Sequence, residues 1–189
     1  MTPEKAVEVE EIKGGWWRTA ETLLRVTSMG LCVVSLTVML KNTQSNEYGS
    51  LSYSDLSGFQ YVVYTNGICA MYSLVSAFYF AIHRPLTLAY AWAFFVFDQV
   101  VTYLVLTAVA AAVETLFLAY RGNKDVAWSE ACTEFDSFCG RAKTSVAITF
   151  GTIFCYITIS LFSSFRLFST YEDPIPFFIG KSAGIAAFP

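Results

Sequence analysis

The stretch LTLAYAWAFFVFDQVVTYLVLTAVAAAV, residues 86–113, decides the fold, because it holds one charged side chain, Asp98, inside an otherwise apolar run. About 20 apolar residues in a helix cross roughly 30 Å of hydrocarbon. Backbone N–H and C=O groups find no water there, so a run of this kind has to be helical. It divides into two apolar halves, Leu86–Phe97 and Gln99–Val113, joined through Asp98. Three further runs accompany it. Val26–Leu40 is a 15-residue run extended by Leu23 and Leu24 around Arg25; Leu56–His83 has 28 residues without a formal charge; Thr144–Phe165 has 22. The residue-by-residue alternation of a membrane β-barrel is absent.

Composition agrees. The chain has 189 residues, of which 55% are hydrophobic and only 14% charged. A soluble domain carries about a quarter charged residues. This excludes a nucleic-acid binder, a disordered chain and an ordinary cytosolic enzyme. The expectation is an all-α integral membrane protein, a four-transmembrane-helix bundle. Its spans fall near 21–41, 60–82, 86–116 and 144–167, in a membrane domain of 21–168 flanked by segments 1–20 and 169–189. The third span is too long to lie wholly in hydrocarbon, so its outer end projects beyond it.

An even number of spans puts both termini on one side. Lys5, Lys13, Arg18, Arg84, Arg166 and Lys181 lie on that side, against Lys41, Arg121, Lys124, Arg141 and Lys143 opposite, which is a feeble charge bias. Cysteines discriminate better. Cys132 and Cys139 lie in the polar loop Tyr120–Lys143, and a disulfide there requires an oxidising compartment. The termini are therefore expected in the cytosol. The acidic leading segment (Glu4, Glu8, Glu10, Glu11) does not read as a cleavable signal. Trp16 and Trp17 read as interfacial anchors.

The loops are short. The first outer loop, Asn42–Phe59, is rich in Ser and Tyr, and only the second outer loop has room for a small fold. The turn His83–Arg84–Pro85 makes the second and third helices antiparallel neighbours. The tail Asp173–Pro189 begins with two prolines and is too short to cross the membrane.

Charge within the bilayer is the most informative chemistry. Arg25 and Asp98 each cost about 2.5–3.5 kcal/mol at mid-depth on insertion scales, so such groups face the protein interior and find partners. Arg25 precedes Lys41 by the same spacing as Asp98 precedes Glu114. If Lys41 and Glu114 mark the outer boundary, the inner charges share a depth about 24 Å below it. One reading is an ion relay or ion-binding site. The other is a structural pair that fixes how helices one and three dock. A lone pair without further acids or histidines makes a poor conduction path, which favours the structural reading.

Cys132 and Cys139 read as a loop disulfide, with a metal pair as the alternative, although no His stands near to complete a ligand set. Cys32, Cys69 and Cys155 read as small packing hydrophobes. His83, the single histidine, reads as an interfacial residue. No catalytic constellation, cofactor motif or metal site emerges. Small residues recur at helical spacing: Ala70, Ser73 and Ala77; Ala89 and Ala93; Ala108 and Ala112; Ser160 and Ser164. They let helices approach closely, either inside one bundle or between protomers. Four helices cannot use every such face internally.

Together these residues resemble the Casparian strip membrane domain protein family of plants, itself similar to the MARVEL four-helix proteins. Besides Arg25, Asp98 and the loop cysteines, the stretch Tyr53-Ser54-Asp55-Leu56 through Phe59, Tyr64, Asn66-Gly67-Ile68-Cys69 and Tyr72-Ser73-Leu74 is similar to the group 2 CASP-like proteins. So is Trp128-Ser129-Glu130 with Cys132, Phe138-Cys139 and Arg141. The resemblance covers about residues 15 to 170. It implies a non-enzymatic plasma-membrane scaffold, without cofactor, that forms homo-oligomers or hetero-oligomers with paralogues. Such scaffolds sit among membrane lipids, bind no nucleic acid and recruit partners that include wall-modifying enzymes. The first outer loop lacks the aromatic-rich signature associated with strip-forming members, so generic membrane scaffolding is the implied role. The alternative is an ion or small-solute pathway through the bundle or oligomer that uses Asp98.

Overall fold

The structure is a computed structural model that describes residues 3–47, 49–82, 88–122 and 130–170. The His83–Arg84–Pro85 turn, Trp128-Ser129 and the tail from Asp173 lie outside the described residues. The elements in chain order are α1 (Pro3–Leu40), the strands β1 (Thr43–Asn46) and β2 (Gly49–Ser52), a 3-10 turn (Tyr53–Asp55), α2 (Ser57–Ala81), α3 (Leu88–Arg121), the short α4 (Ala131–Glu134) and α5 (Asp136–Thr170). Helices α1, α2, α3 and α5 are the four that are long and apolar enough to cross a membrane.

Their bounds exceed the expected spans in most places. α5 starts at Asp136 instead of near residue 144, and α3 runs on to Arg121. Helical hydrogen bonding does not stop where the hydrocarbon does. Arg141 and Lys143 point outward on the first turns of α5, so their charges do not interrupt it. Asp136 in its first turn suits the positive end of the helix dipole.

α1 packs against α2 and α5, and α3 packs against the same two. α1 and α3 therefore face each other across the diagonal of the bundle. The expectation that helices one and three would be docking neighbours is corrected here: they meet through long side chains that cross the core. Each helix turns an inward stripe at heptad spacing. In α1 it is Glu21, Arg25, Ser28, Cys32, Ser35 and Met39; in α2 it is Phe59, Val62, Asn66, Cys69, Ser73, Ser76 and Phe80. Such spacing produces the gently crossed packing of four-helix bundles.

The polarity is inverted relative to a soluble bundle. α1 buries two charges and two serines while exposing Leu23, Val26, Val33 and Val34. Lipid is as apolar as leucine, so large side chains gain nothing by turning inward, and the interior selects small and hydrogen-bonding groups.

The first outer loop is not irregular, and the second is not the only loop with a fold. Thr43–Asn46 pairs antiparallel with Gly49–Ser52 as a two-stranded hairpin. Gly49, at φ 143°, supplies a turn conformation that L side chains rarely adopt. At the foot of α2, a Cβ on Gly58 would lie 2.1 Å from Thr115 Oγ1 and 3.0 Å from the Ala111 carbonyl oxygen. This glycine sets the closest approach of α2 to α3.

Gly58→Ala should lower stability in detergent by about 1–3 kcal/mol through overpacking. Gly67→Ala, where the added Cβ meets nothing within 4 Å, should leave stability unchanged or raise it by up to about 1 kcal/mol. Unfolding midpoints of the two purified variants check the contrast.

Candidate functional site

Arg25 lies on the inward stripe of α1 with 1% of its surface exposed, and Asp98 on α3 is fully buried. A guanidinium presents parallel N–H donors that match a carboxylate. Arg25 Nη1 donates to Asp98 Oδ1 at 3.0 Å and Nη2 donates to Oδ2 at 2.8 Å. Nη2 also donates to Glu21 Oε1 at 3.1 Å, one helical turn earlier. The Tyr72 hydroxyl of α2 adds a 2.6 Å bond to Asp98 Oδ1. Asp98 thus takes three donors from two other helices. Aromatic rings close the remaining sides: the guanidinium carbon stands 4.8 Å from the Phe80 ring centroid, 5.9 Å from Tyr72 and 6.0 Å from Phe94. Such cation–π contacts gain strength where water is excluded.

Two hydroxyl layers follow along the bundle axis. Ser73 Oγ lies 3.1 Å from Ser28 Oγ and 2.7 Å from the Tyr156 hydroxyl, which donates to the Cys69 carbonyl at 3.1 Å. Farther along, Ser35 Oγ lies 2.9 Å from Ser145 Oγ and 2.7 Å from Thr149 Oγ1. Asn66 Nδ2 donates to Ser35 Oγ at 3.3 Å and to its own helix at Val62 O at 3.0 Å. The first layer ties α1, α2 and α5, and so does the second. Cys32 and Cys69 are buried in the core, and Cys155 is half-buried.

Beyond the last layer the two loops lock together. Cys132 and Cys139 form a disulfide with a Cα–Cα distance of 5.7 Å, so their sulfurs are not a metal pair. Three side chains of the first loop reach this ring. Asn42 Nδ2 donates to the Phe138 carbonyl at 3.0 Å, Gln44 Oε1 accepts from the Phe138 amide at 2.8 Å, and Asn46 Nδ2 donates to the Glu134 carbonyl at 2.6 Å. The hairpin is thereby clamped on the disulfide ring.

The small residues divide. Ser73, Ala77, Ala108, Ala112 and Ser160 are buried inside the bundle. Ser160 accepts a bond from Gln99 of α3, and Ser164 donates to the Ser160 carbonyl. Ala70 is half-buried, while Ala89 and Ala93 are exposed. Sequence reasoning missed Glu21 and Tyr72 as members of the charge cluster. Glu21 stands one turn ahead of Arg25 with favourable sign and spacing, a readable signal. Tyr72 carried no comparable signal, because its role depends on how α2 turns toward α3.

With the geometry in hand, similarity to known proteins can be stated. The Casparian strip membrane protein domain matches residues 14–155. CASP-like protein 2A1 of Zea mays is 61% identical over 173 residues, covering 91% of this chain and 81% of that protein. CASP-like protein 2A1 of Sorghum bicolor is 60% identical, with 91% and 83% covered, and that of Vitis vinifera is 55% identical, with 90% and 83% covered. No solved structure matches the chain at a significant level.

The cluster makes a directional prediction for charge exchange. Asp98→Arg alone should abolish correct folding, since removing one partner of a buried pair costs about 3–5 kcal/mol before any repulsion is added. Arg25→Asp with Asp98→Arg should recover folding only in part, because the new aspartate would stand one turn from Glu21. Adding Glu21→Gln should improve the recovery. Monodisperse yield in detergent checks the order. At the loop end, Cys132→Ser should cost about 2–3 kcal/mol by releasing the ring. Faster limited proteolysis within the hairpin reads the same loss.

Proposed function

Because this chain belongs to the Casparian strip membrane protein domain family, we propose that it is a non-enzymatic plasma-membrane scaffold. In this role it self-associates into membrane domains, alone or with paralogues, and organises or recruits partner proteins, cell-wall-modifying enzymes among them. The termini lie in the cytosol, and the hairpin with its disulfide ring faces outside. An oxidising compartment at the loop end is what a stable Cys132–Cys139 bond calls for.

One observation carries this reading. The intramembrane chemistry is closed upon itself, with Asp98 saturated by Arg25 and Tyr72 and the hydroxyl layers bonded to one another. A carboxylate acting as an ion relay needs an open lone pair and a path. A carboxylate holding two helices in place needs the saturation found here. Outward, the bundle offers a rigid apolar perimeter and a clamped polar platform, which are the parts of a scaffold.

A fluorescently tagged full-length copy in plant cells should recover little over minutes after a plasma-membrane patch is bleached. Rapid and complete recovery would defeat the scaffold reading. Asp98→Asn should reduce assembly and surface delivery together. Intact delivery with loss of an ion flux would instead favour a pathway.

A further inference from the structure

The bundle carries a second pair of charges with the separation of the first. Arg25 and Asp98 are 73 residues apart, and the same separation relates Lys41 to Glu114. α1 and α3 run in the same direction across the bundle, and the buried pair sets their relative height. Lys41 and Glu114 consequently share a depth, near the loop end of the spans. Both are exposed, on opposite outer faces of the bundle, and among the described residues no ion pair within the chain engages either.

Each charge borders a distinct surface. Glu114 lies in a groove of about 480 Å³ along the outer flank of α3, with Leu106, Ala110, Val113 and Phe117, walled by Phe150 of α5. The outward face of α1 is low, with Thr27, Gly30, Val33, Val34 and Thr37 exposed, and a Cβ on Gly30 would meet nothing within 4 Å. At the common separation Gly30 stands level with Tyr103, an exposed ring on α3, and Thr37 stands level with Ala110. A notch faces a knob, a small residue faces a small residue, and a lysine faces a glutamate. Close approach of helix backbones in lipid depends on such small faces.

On the basis of the scaffold reading, we infer that the groove on α3 receives α1 of a second copy, with Lys41 of one chain paired to Glu114 of the next. The two faces differ, so the contact is head-to-tail. Head-to-tail contacts close into rings or extend as open rows, and they do not stop at a dimer. Because the faces lie on opposite sides of one bundle, related by little more than a translation in the membrane plane, the product is a row. An anionic phospholipid headgroup would be repelled by Glu114, whereas the ammonium of Lys41 neutralises it.

The test uses full-length copies carrying two different tags, oxidised in native membranes. Thr37→Cys in one copy and Ala110→Cys in the other should crosslink, and neither substitution should crosslink with itself. Both substitutions in one chain should give a ladder of dimers, trimers and higher species beyond the wild-type background. Lys41→Glu or Glu114→Lys added singly should remove the ladder, and both together should restore it. A Thr37→Cys homodimer, or a series that ends at the dimer, would overturn the inference in favour of a two-fold contact. If the tagged copies co-purify while the crosslink fails, the α1–α3 contact is wrong and self-association uses another face. If they do not co-purify at all, the scaffold reading fails with it.

Discussion

Arg25 has to reach Asp98 across the diagonal of the bundle, and the interior is arranged so that it can. Alone in hydrocarbon each charge would cost about 2.5–3.5 kcal/mol on insertion scales. Paired at 2.8 and 3.0 Å, with Tyr72 and Glu21 completing the set, they become a fixed point for the whole domain. A buried pair is weak evidence for stability as such, since well-packed apolar residues of similar volume often do as well. What the pair supplies is a register. A guanidinium and a carboxylate locked by two parallel bonds admit one relative height of α1 and α3, whereas apolar packing would admit several. The helices between them, α2 and α5, are then located by contact with both.

The hydroxyl layers extend the same logic toward the loops. Without a hydrophobic force between helices in lipid, association rests on close packing and on interhelical hydrogen bonds worth about 0.6 kcal/mol each on average. Any one of the Ser35, Asn66, Ser145 and Thr149 contacts is modest, but each is satisfied only when α1, α2 and α5 stand in one arrangement. The clamp of hairpin on disulfide ring repeats the arrangement outside the spans. Asn42, Gln44 and Asn46 reach backbone groups of residues nearly a hundred positions later, so the two loops form one body. A platform fixed in this way can present the same polar surface each time a copy is added to an assembly.

Much of this was legible in the sequence and some was not. Four spans followed from charge-free runs, because a bilayer tolerates little else. The meeting of Arg25 and Asp98 followed from their equal spacing to Lys41 and Glu114. The Cys132–Cys139 ring was visible as two cysteines in a polar loop. Adjacency of the helices was hidden, because apolar runs that face lipid do not reveal which neighbour lies on which side; helices one and three proved diagonal. The hairpin was hidden for a different reason. Thr43–Ser52 carries no apolar alternation, and its strands are held by Gly49 and by side-chain bonds to a distant loop. The fate of the small residues was equally unreadable. Ala108 and Ala112 pack inside while Ala89 and Ala93, on the same helix, face out, because the inward stripe is set by the partner helices.

The diagonal arrangement also links the core to the assembly. Lys41 and Glu114 share a depth only because Arg25 and Asp98, one on each of the same helices, fix the height of α1 against α3. A shift of one helical turn in that register would displace the outer charges by about 5.4 Å, beyond the reach of an ion pair. The buried pair therefore governs a contact between copies that it never touches. Small changes around Tyr72 or Glu21 that leave the bundle folded, yet let α1 slide against α3, would lengthen every junction of a row at once. A row multiplies the geometry of its unit, so the tolerance for error within each bundle is narrower than stability alone demands. That is a physical reason for a membrane scaffold to hold charges in its core, where apolar side chains would be cheaper.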